Sequence, residues 1–325
     1  MAVEYLKYAD SKKIRIDSYL AQTFPEFSRS FFGRLIKEGE VLVNGKQVKP
    51  SYLLSGEEEI EIHFPPPPPK KPLAEDIPLE VLFENEHILV INKPAGLVVH
   101  PGPGNAEGTL VNGLLNLTSK LSEVDIPERA GIVHRLDKDT SGVILVAKTN
   151  QAHFHLAQQF QERSVQKEYL AITHGVPKER EGRIDLPIGR SQRVWKKMKI
   201  DPRGKASLTY YKVQKTWGPF AFIIARPKTG RTHQIRLHLR AVGAPILCDE
   251  LYGKEKELKY SFFTSFQKGT LLSRQALHAH KIKFQLFGKE MEFQSPLPED
   301  LQRVLDFFQA HYPKESGISG KNDYN

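Results

Sequence analysis

The chain has 325 residues, which is more than one small compact domain needs and agrees with two domains of ordinary size. Hydrophobic residues make up 39% and charged residues 26%, as in globular proteins, so neither extensive disorder nor a fibrous repeat is favoured. The 47 Lys and Arg residues exceed the 38 Asp and Glu residues, and the net charge of +9 favours a polyanion such as nucleic acid as the partner. The single cysteine, Cys248, excludes an intrachain disulfide and a zinc site with several thiolates.

An anionic membrane surface would also attract a basic chain. The chain opens MAVEYLKYADSKKIRID, with charges where a signal peptide has its apolar stretch, and it contains no run of roughly 18 apolar residues. The sequence therefore predicts a cytoplasmic protein with no membrane partner, and we expect residues 1–13 to form an N-terminal tail.

A proline-rich run divides the chain. The string PPPPPKKP at residues 65–72 has few backbone N–H groups for a helix or a sheet and should be extended as polyproline II. We predict a linker over residues 65–77, with a small domain at 14–64 before it and a larger domain at 78–312 after it. The polar, glycine- and serine-containing end of the chain, residues 313–325, has little to bury and is expected to be a flexible tail.

The segment before the linker predicts two helices and two strands. Apolar residues recur at three- and four-residue spacing in 15–21 and 28–37. The string VLVNGK at 41–46 indicates a strand that enters an Asn-Gly turn, and EIEIHF at 59–64 alternates as a strand does. Over residues 14–64 the pattern, which includes EGEVLVNGKQV, resembles the S4 RNA-binding domain, although a generic pair of basic helices remains an alternative. The residues of this module that we predict to contact RNA are Arg29, Arg34, Lys37 and Lys46.

After the linker, predicted strands outnumber predicted helices. Helical periodicity occurs at 152–161 and 301–308. Because strands and helices do not alternate regularly, we expect an α+β domain with a mostly antiparallel mixed sheet flanked by helices and loops, and not a doubly wound parallel sheet. The runs rich in β-branched and aromatic residues that predict strands are 87–91, 142–147, 169–172, 209–213, 220–224 and 280–284.

The string GIVHRLDKDTSG at residues 131–142 is a polar loop between two apolar stretches. Asp137 lies there among His134, Arg135 and Lys138, and nearby cations favour the ionised form of a carboxylate. A nucleophile or a general base requires this form. The alternative is a solvated turn whose aspartate and serine bond the local backbone.

The same string resembles the HRLD-x-x-TSG signature of the RluA-type RNA pseudouridine synthases. Four other strings fit that family, namely VINKPAGLVVHP at 90–101, QKEYLA at 166–171, GRTHQIRLHL at 230–239 and QALHA at 275–279. The resemblance covers residues 14–310. It implies an isomerase that breaks the glycosidic bond of a uridine, turns the uracil and rejoins it through C5, without a metal or a cofactor.

The resemblance also implies roles for particular residues. Asp137 would be the essential carboxylate, either as nucleophile or as base, and Tyr169 would stack on the target uracil and assist removal of the C5 proton. Arg231 would contact Asp137, since a guanidinium can hold both oxygens of a carboxylate. Arg135 would either fill the gap left by an extruded base or contact a phosphate. The residues of this domain predicted to contact RNA are Arg135, His134 and Lys167.

Two other functions compete with this one. An RNA-binding or assembly factor would keep the fold and lose the reaction, but Asp137, Tyr169 and Arg231 are all retained. A metal-dependent RNA hydrolase would need clustered acidic ligands, which the sequence does not show. The S4-like module beside this catalytic pattern indicates the large-subunit ribosomal RNA members of the family, and the sequence does not name the target uridine.

Overall fold

The structure is a computed structural model that describes residues 2–25, 27–64, 72–102, 104–124, 127–192, 194, 197–265 and 267–312. The chain forms two compact units, Met1–Lys70 and Lys71–Asn325. The predicted polyproline run lies outside the described residues except for Pro72, and so does the predicted tail at 313–325. Among the described residues, no helix is both long and apolar enough to cross a membrane.

The first unit packs two helices against a four-stranded antiparallel sheet of order β1-β6-β3-β4. Helix α2 begins at a serine cap, where the Ser28 hydroxyl accepts the Phe31 N–H, and ends at Gly39 in the left-handed conformation. The predicted hairpin turn is present, because Asn44 and Gly45 both have positive φ angles, 48° and 70°. The elements are β1 (Ala2–Tyr8), β2 (Ile14–Arg15), α1 (Ile16–Thr23), α2 (Arg29–Glu38), β3 (Val41–Val43), β4 (Lys46–Gln47), β5 (Leu53–Leu54) and β6 (Glu58–Phe64).

The expected N-terminal tail is wrong for most of its length. Strand β1 pairs with β6 from Ala2 opposite Phe64 to Tyr8 opposite Glu58. Tyr8 is buried in the core of the unit, and Lys7 pairs with Glu57 at 3.1 Å. Leu6 and Tyr8 pack in the core of the unit, whereas Val3 and Tyr5 are exposed on the other face of this edge strand.

The second unit is built on a nine-stranded sheet of order β11-β14-β15-β10-β18-β9-β8-β7, with β19 also paired to β18. Only β18 and β9 pair in parallel among these strands, which confirms the predicted mostly antiparallel sheet. The elements are β7 (Glu80–Glu84), β8 (Ile88–Lys93), α3 (Leu110–Leu117), β9 (Ser141–Ala147), α4 (Asn150–Glu162), β10 (Gln166–His174), β11 (Glu181–Asp185), β12 (Ile188–Arg190), β13 (Met198–Ile200), β14 (Leu208–Trp217), β15 (Phe220–Pro227), α5 (Gln234–Ala241), β16 (Leu258–Lys259), β17 (Thr270–Leu272), β18 (Leu277–Leu286), β19 (Lys289–Gln294) and α6 (Glu299–His311).

Two apolar cores flank the centre of this sheet. One gathers β8, β9, α3 and α4, the other gathers β14, β15, α5 and α6, and Tyr169 packs against both. At the parallel pair, Gly142 has a φ of 115°, and a Cβ there would lie 2.2 Å from the Ala279 carbonyl oxygen. Glycine is therefore required where β9 begins. Ile132 and Leu136, which precede β9, belong to the first of the two cores.

Part of the predicted linker belongs to the second unit. The Asn112 side chain donates to the Leu73 carbonyl at 2.8 Å, and the Glu75 N–H donates to the Asn112 carbonyl at 3.0 Å. The Glu75 carboxylate also accepts the Gly108 N–H at 3.0 Å. These bonds attach the segment from Leu73 to Glu75 to helix α3, because hydrogen-bonded backbone groups are fixed by their partners.

Candidate active site

A cavity of about 500 Å³ lies in the second unit, and its volume is in the range of ordinary ligand pockets. Its walls come from the loop 133–140, the end of α4, the beginning of β10 and the segment 227–236. Four of the five sequence strings that carry the resemblance to the synthases thus meet at this cavity. The charged side chains that line the cavity are Arg135, Asp137, Arg163, Lys167, Lys228, Arg231 and Arg236.

The backbone that carries Asp137 is fixed from several sides. The Thr140 N–H donates to the Asp137 carbonyl at 3.1 Å, and the Gly96 N–H donates to the Lys138 carbonyl at 3.0 Å. The ammonium of Lys93 also donates to the Lys138 carbonyl at 3.0 Å. Leu136 is buried beside them, whereas the Asp137 side chain is 22% exposed. The loop therefore holds a carboxylate at the cavity wall on a rigid support.

Lys93 is an ammonium group enclosed in the protein. It is fully buried and also donates to the carbonyls of Pro94 and Leu97, at 2.7 and 2.9 Å. Burial lowers the pKa of Lys93 to about 7, in part offset by the negative charges of Asp139 and Asp137. Its three donors thus join the end of β8 to the Asp137 loop.

The segment before β18 holds the other side of the loop. The Gln275 amide donates to the Thr140 hydroxyl at 2.7 Å, and Arg274 donates to the Asp139 carbonyl at 3.3 Å. Arg274 is itself held by Asp300 through two hydrogen bonds of 2.6 and 2.8 Å. Residues far apart in sequence therefore fix the position of Asp137.

Arg236, on the first turns of helix α5, is the cation that contacts Asp137. Its Nη1 donates to the Asp137 Oδ2 at 2.9 Å. Its Nε and Nη2 donate to the two oxygens of Asp249, at 2.6 and 2.8 Å. Burial opposes the charge, but the Asp249 hydrogen bonds and the charge of Asp137 raise the pKa of Arg236 above its ordinary value. One buried guanidinium thus serves two carboxylates and leaves the Asp137 Oδ1 free of it.

The predicted pairing of Asp137 with Arg231 is wrong in its partner. The Arg231 Nε donates to the Ala206 carbonyl at 3.4 Å, and its backbone N–H donates to the Gln234 side chain at 3.0 Å. Arg231 lies before helix α5, which begins at Gln234, whereas Arg236 lies within it. Arg231 still lines the cavity, so its role in the reaction stays a prediction.

The sequence contained a signal for the missed residues. Arg236 stands among Ile235, Leu237 and Leu239, which a helix buries, and Asp249 follows the apolar run that ends at Cys248. A charged side chain inside an apolar pattern needs a partner of opposite charge, since an unpaired buried charge is strongly unfavourable.

Tyr169 faces the same cavity from strand β10 and is half-buried. Burial, and then the charge of Asp137, raises the pKa of the Tyr169 phenol well above its ordinary value. The phenol is therefore protonated at neutral pH, so the ring can stack on a base, and its hydroxyl is a hydrogen-bond donor and not a ready base.

His233 is a second group near Asp137 that sequence reasoning missed. Its Nε2 lies 4.0 Å from the Asp137 Oδ2, and its Nδ1 lies 2.8 Å from the Tyr252 hydroxyl. The residue has a φ of 57°, a left-handed conformation that is strained for a non-glycine residue. Burial lowers the pKa of His233, against the opposing charge of Asp137. The Tyr252 ring also lies 5.1 Å from the Arg236 guanidinium, so one side chain supports both neighbours of Asp137.

The three residues predicted to contact RNA in this domain all line the cavity. His134 accepts the Leu145 N–H at 2.9 Å and stacks on Phe160, and burial lowers its pKa to about 3. Its Nε2 is thus used inside the protein by a neutral ring. Arg135 is exposed and donates to the His100 Nε2 at 3.3 Å. Contact with RNA stays a prediction for His134, Arg135 and Lys167.

In the first unit, three of the four predicted RNA contacts gather on one groove. Arg29, Arg34 and Lys37 on helix α2 line it, and Gly33 between them leaves it open. Lys46 lies on strand β4 and is not part of this lining. Arg29 also donates to the buried Asp17 at 3.1 Å. The groove has the charge that a phosphate backbone requires.

No group of three or more His, Cys, Asp or Glu side chains in the described part of the chain is arranged as metal ligands. Cys248 is buried, and burial raises the pKa of its thiol to about 12. This thiol is therefore a poor nucleophile.

Comparisons with known proteins agree with the two units. Residues 87–241 match the family model described as RNA pseudouridylate synthase, and residues 14–60 match the S4 domain model. An uncharacterised RNA pseudouridine synthase of Chlorobaculum parvum is 44% identical over 90% of this chain and 93% of its own length. Ribosomal large subunit pseudouridine synthase D of Xanthomonas campestris is 42% identical over 90% of this chain and 88% of its own length.

A solved structure has a similar fold. Human RNA pseudouridylate synthase domain containing 1 matches with a TM-score of 0.53 at 25% identity, and the match covers 73% of this chain and 97% of that one. The two proteins therefore share a fold over most of the length of this chain.

Proposed function

The chain belongs to the family of RNA pseudouridine synthases, and from this premise we propose that it isomerises specific uridines of large-subunit ribosomal RNA with Asp137 as its essential carboxylate. The observation that carries the proposal is the carboxylate of Asp137 at the wall of the cavity, held at 2.9 Å by the buried Arg236. The reaction is an isomerisation, so it needs no co-reactant. The C1′–N1 bond breaks, a C1′–C5 bond forms, C5 loses a proton and N1 gains one.

Asp137 is placed to act on the sugar or the base of a bound nucleotide. Its carboxylate is 22% exposed and has one oxygen bound to Arg236 and the other free of that contact. A charged oxygen in a partly desolvated cavity can attack as a nucleophile or accept a proton as a base, and Arg236 keeps it oriented for either step. The preorganised Asp249–Arg236 pair supplies this orientation before RNA binds.

A uridine inside a folded RNA reaches such a cavity only if it leaves the base stack. The raised pKa of Tyr169 supports a neutral ring that stacks on the extruded uracil. Arg135 is exposed at the same cavity and has a planar group of the kind that can fill the gap in the RNA or contact a phosphate.

The more specific part of the proposal is that the substrate is large-subunit ribosomal RNA. Relatives from Xanthomonas campestris and Pseudomonas aeruginosa, 42% and 41% identical, are named ribosomal large subunit pseudouridine synthase D. The basic groove of the S4 unit gives a second surface for a large folded RNA. A cytoplasmic location follows from this substrate and is part of the proposal.

The direct test is Asp137→Asn in the full chain. We expect pseudouridine formation in ribosomal RNA fragments to be abolished, while RNA affinity falls by less than about tenfold, because phosphate contacts carry most of the binding. Pseudouridine would be counted by chemical probing of the RNA after incubation with the protein. Asp139→Asn is the matched control, since Asp139 lies in the same loop but does not line the cavity.

Normal turnover by the Asp137→Asn protein would refute the assigned carboxylate. A wild-type protein that binds ribosomal RNA tightly but forms no pseudouridine would instead favour the competing RNA-binding factor. Chemical probing of large-subunit RNA from cells with and without the gene would identify the uridine and test the ribosomal assignment.

A further inference from the structure

Lys167 is a half-buried cation of the cavity, and unlike the buried Arg236 it has no partner of opposite charge among the described residues. Arg236 is held by two carboxylates. The ammonium of Lys167 makes no ion pair and no hydrogen bond with any residue that the structure describes. Its ammonium lies 5.9 Å from the centre of the Phe160 ring, and a Cβ added at Gly230 would lie 3.9 Å from Nζ. The neighbouring Glu168, which could have paired with it, binds Arg226 at 2.7 Å.

The environment of Lys167 makes its charge unfavourable in the free protein. Burial, and then the nearby charge of Lys228, lowers the pKa of Lys167 to about 8. An ammonium in such a site gains most from a ligand that brings a negative charge and oxygen acceptors. Lys228 lines the same cavity and is exposed, so an anion at this end would meet both lysines.

Strand geometry gives the position of this anion relative to the target base. Lys167 and Tyr169 lie two residues apart on β10, and successive residues of a strand face opposite sides, so these two share a face. Both line the cavity. Two residues of a strand span about 7 Å, which is comparable with the distance from a nucleobase to the phosphates of its own nucleotide.

The geometry points to a phosphate-binding subsite formed by Lys167 and Lys228, which takes one of the two backbone phosphates adjacent to the target uridine. The inference rests on the proposed function, since it requires a uridine stacked at Tyr169. The inference assigns a backbone phosphate of the RNA to this end of the cavity. The phosphate held at Lys167 would fix the register in which the nucleotide enters, so that the sugar lies beside Asp137.

The test is a double-mutant cycle that removes the charge of a lysine from the protein and the charge of one phosphate from the RNA. The full-length protein would be titrated with a ribosomal RNA fragment that the wild type converts, and with two versions of it. Each version carries one neutral methylphosphonate, at the phosphate either 5′ or 3′ of the target uridine. We expect one of the two to weaken binding by about tenfold, the size of one charge-assisted contact.

The Lys167→Met variant retains the length of the side chain without its charge, and it should bind intact RNA about tenfold more weakly than wild type does. The methylphosphonate that weakens wild-type binding should not weaken binding by this variant any further. Lys167→Arg should restore most of the affinity, and Lys228→Met, at an exposed position, should lose about threefold with the same coupling. Lys212→Met is the control, because Lys212 is exposed on β14, pairs with Glu181 and does not line the cavity.

The subsite is overturned if each methylphosphonate weakens binding by Lys167→Met as much as it weakens binding by wild type. It is also overturned if Lys167→Met binds intact RNA as tightly as wild type does. If wild-type protein forms pseudouridine while the effects are independent, only the subsite fails. If no RNA fragment acquires pseudouridine, the proposed function fails and the subsite fails with it.

Discussion

Each unit contains a cluster of aspartate and arginine side chains. The cluster of the first unit has two arginines and one aspartate, and that of the second unit has one arginine and two aspartates. In the first unit, the buried Asp17 accepts hydrogen bonds from two exposed arginines, Arg15 at 2.9 Å and Arg29 at 3.1 Å. In the second unit, one buried arginine, Arg236, is shared by Asp137 and Asp249. The first arrangement has spare cationic donors at the surface, as an RNA-binding face needs. The second has a spare carboxylate oxygen in a cavity, as a catalytic site needs.

Burial of the cation, and not the presence of an ion pair, distinguishes the candidate active site from the basic groove of the first unit. An exposed arginine beside a carboxylate remains free to exchange partners with water or phosphate, so its pair is weak. A buried arginine that donates through all three of its nitrogens, as Arg236 does, holds its carboxylate in one orientation. Four experiments test whether the two clusters differ in this way.

The largest effect is expected at Arg236. Arg236→Lys keeps the charge but cannot serve Asp137 and Asp249 with parallel donors, so we expect the single-turnover rate to fall by about a hundredfold or more with RNA saturating. Arg231→Lys is the matched control from the same segment, and its rate should fall by less than about tenfold. A larger loss at Arg231 than at Arg236 would restore the pairing that the sequence suggested.

Asp249→Asn tests whether the second carboxylate holds the arginine. The change leaves a buried guanidinium short of one counter-charge, so the free energy of unfolding should fall by about 3 kcal/mol and the rate by about tenfold or more. RNA affinity should not change. Urea unfolding, followed by the fluorescence of the tryptophans, which include Trp217, measures the free energy of unfolding. Asp185→Asn, in the exposed pair with Arg183, should leave stability within about 0.5 kcal/mol of wild type.

The groove of the first unit should govern salt dependence and not the rate. Replacing Arg29, Arg34 and Lys37 together by Gln should flatten the slope of log affinity against log salt by about 2 to 3, if each contacts one phosphate. The rate at saturating RNA should be retained. Filter binding across a salt series measures the slope, and an unchanged slope would remove the groove from the RNA interface.

The smallest effect is expected for the acid titration of Asp17. The hydrogen bond from Arg15, and then the contact with Arg29, outweigh burial and lower the pKa of Asp17 to about 2. A lowered pKa means that the folded unit gains stability when Asp17 is ionised. That gain is fully present above about pH 4, near the ordinary pKa of an aspartate, and is lost as the pH falls toward 2.

We expect the contribution to be about 1 to 2 kcal/mol, since both arginines are largely exposed to solvent that screens them. Hydrogen exchange of peptides from β3 and β6 in the full chain, between pH 3 and 6 at matched intrinsic rates, would measure it. Asp17→Asn should remove the pH dependence. If wild type and Asp17→Asn lose protection in parallel, Asp17 does not provide it.

Much of the fold could be predicted from local pattern. The strands at 87–91 and 220–224 and the helix at 152–161 appear as β8, β15 and α4, because their apolar periodicity is set by the faces that they bury. Strand β1 was missed because its pairing depends on β6, a partner far away in sequence that local alternation does not reveal.

The candidate site was predicted in its location but not in its contacts. The loop of Asp137, Tyr169 and the segment of Arg231 do line one cavity. Which arginine reaches Asp137 depends on where helix α5 begins, and the left-handed His233 immediately before it could not be predicted from composition. Asp249 was missed because its importance arises only from the partner that it meets after folding.

The position of β18 in the sheet has a consequence for synthesis of the chain. This strand begins at Leu277, late in the sequence, yet it lies between β10 and β9 at the middle of the sheet. A ribosome that has not yet released this segment holds two half-sheets with unpaired edges, which are prone to wrong pairing. The loop of Asp137 also lacks Gln275, its partner from the same late segment, until then. We therefore expect the nascent chain to be inactive until Gln275 and β18 have left the ribosome, and the slow closure of these long-range contacts should limit the rate at which activity appears.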